Sequence, residues 1–336
     1  MPSRQHSTAG SEEPEVTAPN KLDRVLEPGD PKLLATGFHF TEGPLWQPPS
    51  PEHPDGALYV SDVDDAIHYL VDAHTGEKTV LRENDGGANG ATYDLQGSVV
   101  WCEQDVYRVV RREHDGSWTV LASEYNGVRL NRSNDVVGRS DGSLYFSDPQ
   151  FLMEPDDRLI GTSSVFRIDR DGGLHQAGTD MPHPNGLAFS PDESLLYVSN
   201  TRPNPHMYVY EVAVDGSLSK GRVFAEMPYV PAGFDEGDTF IAHSGAERPI
   251  GERGGVPDGL KVDTRGRVFS TGPGGCWVWE PDGEFLGVIE TPELPANVGW
   301  GGTDFKTLYL TCRTSVYSLR VKTPGAPVPG MPASTN

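Results

Sequence analysis

The chain has 336 residues, 36% of them hydrophobic, with 39 Gly, 29 Pro and a formal net charge of −22. So acidic a balance argues against a nucleic-acid partner, which calls for a basic face, and suits a solvated surface or a cation site. Cys102, Cys276 and Cys312 share no short spacing, which argues against a disulfide framework or a cysteine zinc cluster and leaves three buried strand thiols as the expectation.

Residues 1–30 are polar, rich in Pro, Ser and Glu, and lack the apolar stretch of a signal peptide, so a disordered tail is expected there. Beyond them, short apolar strands alternate with polar turns. The first hairpin opens on Glu42 in EGPLW and carries a Pro-rich insertion before ALYVSD. NGATYDLQGSVVWCE opens on Asn89, NDVVGRSDGSLYFSD on Asn134 and NGLAFSPDESLLYVSN on Asn185. DGLKVDTRGRVFSTG opens on Asp258, and NVGWGGTDFKTLYLT on Asn297. Pieces such as AIHYLVD and MYVYEVAVDGSL, many ending in DG turns, supply third and fourth strands to each unit.

The six heads lie 39 to 73 residues apart, the period of propeller blades, and the longest gap holds an insertion over 228–255. The expected fold is all-β: a six-bladed β-propeller with four antiparallel strands per blade, one domain over residues 31–322, then a Pro-rich C-terminal tail over 323–336. No run approaches eighteen apolar residues, so no membrane span or membrane partner is expected. With free cysteines and no export signal, the expected compartment is cytoplasmic and the expected state a monomer or weak homo-oligomer. Trp46, Trp101 and Trp277 read as packing between blades.

In a propeller the first strand of each blade lines the central channel, so Glu42, Asn89, Asn134, Asn185, Asp258 and Asn297 are expected to converge at one mouth. Carboxylates and amide carbonyls are hard oxygen donors. They point to a divalent metal on the axis, Ca²⁺ first, with Zn²⁺, Mn²⁺ and Mg²⁺ as the alternatives. The competing reading is a set of turn residues hydrogen-bonded across the axis. No GxSxG elbow is present, which argues against a serine hydrolase.

The stretches EGPLW (42–46), NGATYDLQG (89–97), RLNRSNDVVGRSDGSLYFSDP (129–149), PNGLAFSPDESLLYVSN (184–200), PDGLKVDTRGRVF (257–269) and GGTDFKTLYLT (301–311), in this order and at blade spacing, resemble the regucalcin/gluconolactonase family. The resemblance implies an axial divalent metal and hydrolysis of sugar lactones. It implies Glu42, Asn185 and Asp258 as metal ligands, Asn134 at the metal or on the substrate, and Arg132 on the sugar hydroxyls. Asn89 then stands behind the ligands and Asn297 is structural. Two departures stand out: Gln104 follows Cys102-Glu103 where many members have His, and Asn200 ends YVSN where many have Asp.

These readings converge on a metal-dependent lactonase opening the ester ring of a sugar lactone such as glucono-1,5-lactone. The metal polarises the carbonyl, Asn134 orients the ester, and the attacking water is activated either by Asp258 as general base or by the ion itself. A phosphotriesterase or arylesterase on the same centre, and a non-catalytic calcium-binding propeller, are the alternatives. Substrate choice is expected to lie in loops 150–162 and 228–255, the latter holding His243 and Ser244.

Overall fold

The computed structural model describes residues 21–150, 153, 160–203, 205–227, 239–241, 247–249 and 255–334. Six four-stranded antiparallel sheets follow one another around a ring, a six-bladed β-propeller. Blade 1 runs outward from Thr41–Gln47 through Ala57–Asp62 and Ile67–Asp72 to Lys78–Glu83, and blade 2 from Ala88–Tyr93 through Val99–Glu103 and Arg108–Arg112 to Trp118–Ala122. Blade 3 comprises Val136–Gly138, Leu144–Asp148, Ser164–Ile168 and Leu174–Gly178; blade 4 comprises Pro184–Phe189, Leu195–Asn200, His206–Glu211 and Arg222–Glu226. Blade 5 has Leu260–Val262, Val268–Gly272, Gly275–Trp279 and Phe285–Ile289.

Blade 6 has only three strands from its own stretch of chain, Pro295–Gly301, Thr307–Cys312 and Ser315–Arg320. Its fourth is the N-terminal strand Lys32–Thr36, which pairs antiparallel with Ser315–Arg320 and closes the ring. Among the described residues no helix is long and apolar enough to cross a membrane.

The burial pattern follows from this packing. A second strand such as Ala57–Asp62 or Val99–Glu103 is covered on both faces by neighbouring blades and is buried at every position, so it reads as a continuous apolar run. The outermost strand Lys78–Glu83 is buried nowhere and is correspondingly polar. Large aromatics fill the wedges between blades. Trp46 stacks on Tyr309 of blade 6 at 5.9 Å, and Trp101 meets Tyr59 of blade 1 edge-on at 5.7 Å. Trp277 stacks within blade 5 on Trp279 and joins a cluster with Met207 and Met227 from blade 4. The three cysteines are buried and free, as strand residues in an apolar setting.

Both chain ends are more engaged than their composition implies. Within the segment expected to be disordered, residues 21–24 form a turn of 3₁₀ helix, and Leu22, Val25 and Leu26 are buried against blades 5 and 6. Three apolar residues closely spaced give this part of a polar segment a face to bury; residues 1–20 lie outside the described residues. At the other end, Ala326 N donates to Val262 O and Gly325 N to Phe305 O, at 2.9 and 3.1 Å. Residues 326–331 then cross the channel end opposite the strand heads and cover a 490 Å³ cavity lined by Trp46, Val137, Phe189, Trp300 and Phe305. The insertion expected over 228–255 lies largely outside the described residues, apart from the paired strands Thr239–Ile241 and Glu247–Pro249.

Candidate functional site at the channel mouth

All six heads stand on, or within two residues of, the innermost strands. Why their side chains gather there is visible in the strand ladders. In blades 1, 2 and 4 the register slips just at the head, between Glu42 and Leu45, Ala88 and Ala91, and Pro184 and Leu187. Such an irregularity breaks strict alternation and re-aims a side chain. In blades 3 and 5 the ladder starts only after the head, at Val136 and Leu260.

The residue after a head is often glycine because the neighbouring blade fills its side-chain space. A Cβ on Gly259 would lie 2.0 Å from Asn297 Cγ, and one on Gly90 2.0 Å from Asp135 Oδ1. Gly259→Ala is therefore expected to destabilise the fold by about 2–3 kcal/mol, as overpacking does, and to push Asn297 out of line. Chemical denaturation measures the first effect, and a fall in lactone turnover larger than the stability loss explains would register the second.

Glu42 is buried, and its Oε2 accepts from Asn297 Nδ2 at 2.8 Å and from the backbone N–H of Gly43 at 2.9 Å. Asn297, expected to be only structural, thus orients the Glu42 carboxylate. Asp258 stands partly exposed at the mouth within hydrogen-bonding reach of Asn185. Asn185 Nδ2 also donates to Thr201 Oγ1 at 3.1 Å, and Ser199 Oγ donates to the Asp258 carbonyl at 2.6 Å. Loss of solvent pushes both carboxyl groups well above the usual range, and the charge of Glu42 raises Asp258 further.

Asn134 is buried, and its carbonyl accepts from Gly90 N at 2.8 Å. Arg132 forms an ion pair with Asp105 of blade 2 beside the mouth. Asn89 Nδ2 lies 3.4 Å from Gln104 Oε1, so Gln104 faces the ring. Asn89 Oδ1 is buried without a hydrogen-bond partner.

The ends of the second strands do a separate job. Asp148 accepts from Asn131 N at 2.8 Å and Ser133 Oγ at 3.0 Å, clamping the loop that carries Arg132 and Asn134; burial raises it to about 7. Asp62 accepts from the N–H groups of His39 and Phe40, and Asn200 Oδ1 accepts from His183 N at 3.0 Å. Asn200 therefore keeps the acceptor that a carboxylate supplies in blades 1 and 3. In blade 2 the same place is taken by Glu103, buried and paired with Arg82 and Arg108 at 2.5 Å each. Glu103→Leu leaves two arginines without their partner, and a loss of about 3–5 kcal/mol in urea unfolding is the expected result.

Whether the mouth fits a divalent cation is answered by its donors. Glu42, Asn134, Asn185 and Asp258 offer only oxygen and amide donors. Two carboxylates stand in each other's field, and a buried amide oxygen beside them is unpartnered. This is a set that a hard cation would satisfy. A second group, His39, Asp62 and Asp65, has donor atoms within 4.8 Å of one another, at the end of the second strand of blade 1 where Asp62 pairs with Thr41. There Asp62 is committed to backbone N–H groups, and His39 Nδ1 is paired with Asp65 at 2.7 Å.

The sequence profile described as the SMP-30/Gluconolactonase/LRE-like region matches residues 40–314. The chain belongs to this family. The gluconolactonase of Zymomonas mobilis is 28% identical to it, over 91% of this chain and 85% of that one. The pentonolactonase XacC of Haloferax volcanii is 28% identical over 83% and 84% of the two chains. Among solved structures, a gluconolactonase of Xanthomonas campestris superposes with a TM-score of 0.73, at 30% identity, covering 89% of this chain and 92% of that one. With the Xanthomonas campestris structure this family member shares its overall fold.

Proposed function

We propose that the protein is a metal-dependent hydrolase that opens the ester ring of a sugar lactone such as glucono-1,5-lactone. The observation that carries the reading is the pairing, at one mouth, of two mutually repelling carboxylates, Glu42 and Asp258, with a ring of amide side chains. The gluconolactonase and pentonolactonase relatives, matched over most of their length, support the substrate class.

Glu42, Asn134, Asn185 and Asp258 would hold the cation, Ca²⁺ by the hardness of the donors. Bound there, it supplies Lewis-acid polarisation of the lactone carbonyl and charge stabilisation as the carbonyl carbon becomes tetrahedral. The protein does the rest. Asn297 and Gly43 fix the Glu42 carboxylate, and Asn185 orients Asp258. Asn134 aligns the ester, and the Arg132 guanidinium, held at the rim by Asp105, donates to ring hydroxyls. The Asp258 carboxylate takes a proton from the attacking water. Attack forms the new C–O bond and a tetrahedral carbon; its collapse breaks the ring C–O bond, the ring oxygen leaves as a hydroxyl with the proton returned by Asp258, and an aldonic acid is released.

The test is a panel of aldonolactones, an aryl ester and an organophosphate, followed by proton release or chromophore. Turnover of the lactones well above the other two classes is the expected result. Hydrolysis of the organophosphate or aryl ester with no lactone turnover would overturn the reading.

A further inference from the structure

Below the ring of heads, the channel holds a third carboxylate and one ammonium. Asp135, next after Asn134, is 1% exposed. Its Oδ1 accepts from Val136 N at 2.8 Å, while its Oδ2 is buried without a hydrogen-bond partner. The nearest cation to that oxygen is Lys261 on the inner strand of blade 5, whose Nζ stands 3.6 Å away and donates to Leu260 O at 3.0 Å. Gly90 of blade 2 lies directly on the carboxylate, so Asp135 cannot turn aside to solvent.

Asp135 and Lys261 thus stand as a pair immediately below the heads, Asp135 being buried and next after Asn134. Buried charges that are not balanced are very costly. Among the described residues three carboxylates, Glu42, Asp135 and Asp258, face one ammonium, and a single divalent cation brings the sum of these four to zero.

We infer that Lys261 is the built-in counter-ion of the axial site, neutralising Asp135 so that the axis takes one divalent cation and no second. This rests on the reading that Glu42, Asn134, Asn185 and Asp258 hold such a cation. A lysine serves here because its long stem reaches the axis along the wall of the far cavity, where Lys261 is among the lining residues. An ordinary structural ion pair would have the same geometry but a different signature, since losing either partner would then disturb the site in the same sense.

The experiment is calorimetric titration of chelator-stripped full-length protein with Ca²⁺ and Mn²⁺, on wild type, Asp135→Asn, Lys261→Met and the double variant. Wild type is expected to bind one ion. Asp135→Asn leaves an excess positive charge and should bind at least about tenfold more weakly, whereas Lys261→Met removes one and should bind at least about tenfold more tightly. The double variant should return to within about threefold of wild type, the two charges having been removed together. Shifts of the same sign in the two single variants, no shift in either, or two ions in wild type would overturn the inference. Should Lys261→Met not fold, Lys261→Gln takes its place, and tighter binding in it beside weaker binding in Asp135→Asn is still the required result. Wild type binding no ion would overturn the metal reading along with this one. One ion with unshifted variants would overturn only this one.

Discussion

Asp258→Asn is expected to lower kcat for an aldonolactone by about 10³-fold while making the metal-free protein more stable. The catalytic loss combines a proton acceptor, typically worth 10²–10⁴-fold, with one carboxylate of the cation's donor set. The stability gain comes from the same carboxylate. In the metal-free protein the buried Glu42 and the partly exposed Asp258 repel each other, so replacing Asp258 by a neutral amide of nearly the same shape removes a cost of about 1 kcal/mol. Steady-state kinetics and a thermal melt in chelator measure the two halves. Retained turnover would remove Asp258 from the chemistry, and a lowered metal-free Tm would show that its charge is compensated some other way.

The second large effect is on pH. Glu42, Asp258, Asp148 and Asp85 are all raised by burial, Asp148 to about 7 and Asp85 to about 6. A carboxyl group whose folded value lies above its unfolded one keeps its proton longer in the native state. Raising the pH from about 4 to about 7 deprotonates the unfolded chain first and destabilises the fold, by about 1.4 kcal/mol per unit of pH for each such group. Buried His68, lowered to about 3, works in the opposite sense below its ordinary value and offsets one of the four. Metal-free wild type should therefore lose Tm as the pH rises through this window, with Asp258→Asn losing less. A divalent cation, which binds the deprotonated pair, should raise Tm more at pH 8 than at pH 5. Superimposable pH profiles for the two proteins would refute the assignment of this loss to the mouth.

The repeat was legible because propeller geometry imposes it: a polar head, an inner strand, a DG-type turn and a fully buried second strand recur around the ring. That is why Glu42, Asn185 and Asp258 could be brought together from sequence positions 42, 185 and 258. The closing strand Lys32–Thr36 was not legible. Five residues with no turn joining them to Ser315–Arg320 carry no sign of a partner almost three hundred residues away.

Asn297 looked structural because its hydrogen bond to Glu42 joins the first inner strand to the last, and only closure of the ring puts them in contact. Asp135 was missed for a different reason. Beside Asn134, alternation would turn it to the opposite face, but the ladder of blade 3 begins only at Val136, and the residue before it is free to face the channel. The C-terminal segment read as a tail because proline-rich chain has no internal hydrogen bonds. Its partners, Val262 and Phe305, belong to other blades.

Dependence of hydrolysis on a divalent cation at the mouth is measured by following glucono-1,5-lactone turnover through chelation and add-back, with metal content determined in the same samples. Turnover should fall to the uncatalysed rate as the protein is stripped and return in proportion to bound ion, with Ca²⁺ effective and saturation near one per chain. Full turnover in protein shown to be free of metal would contradict it.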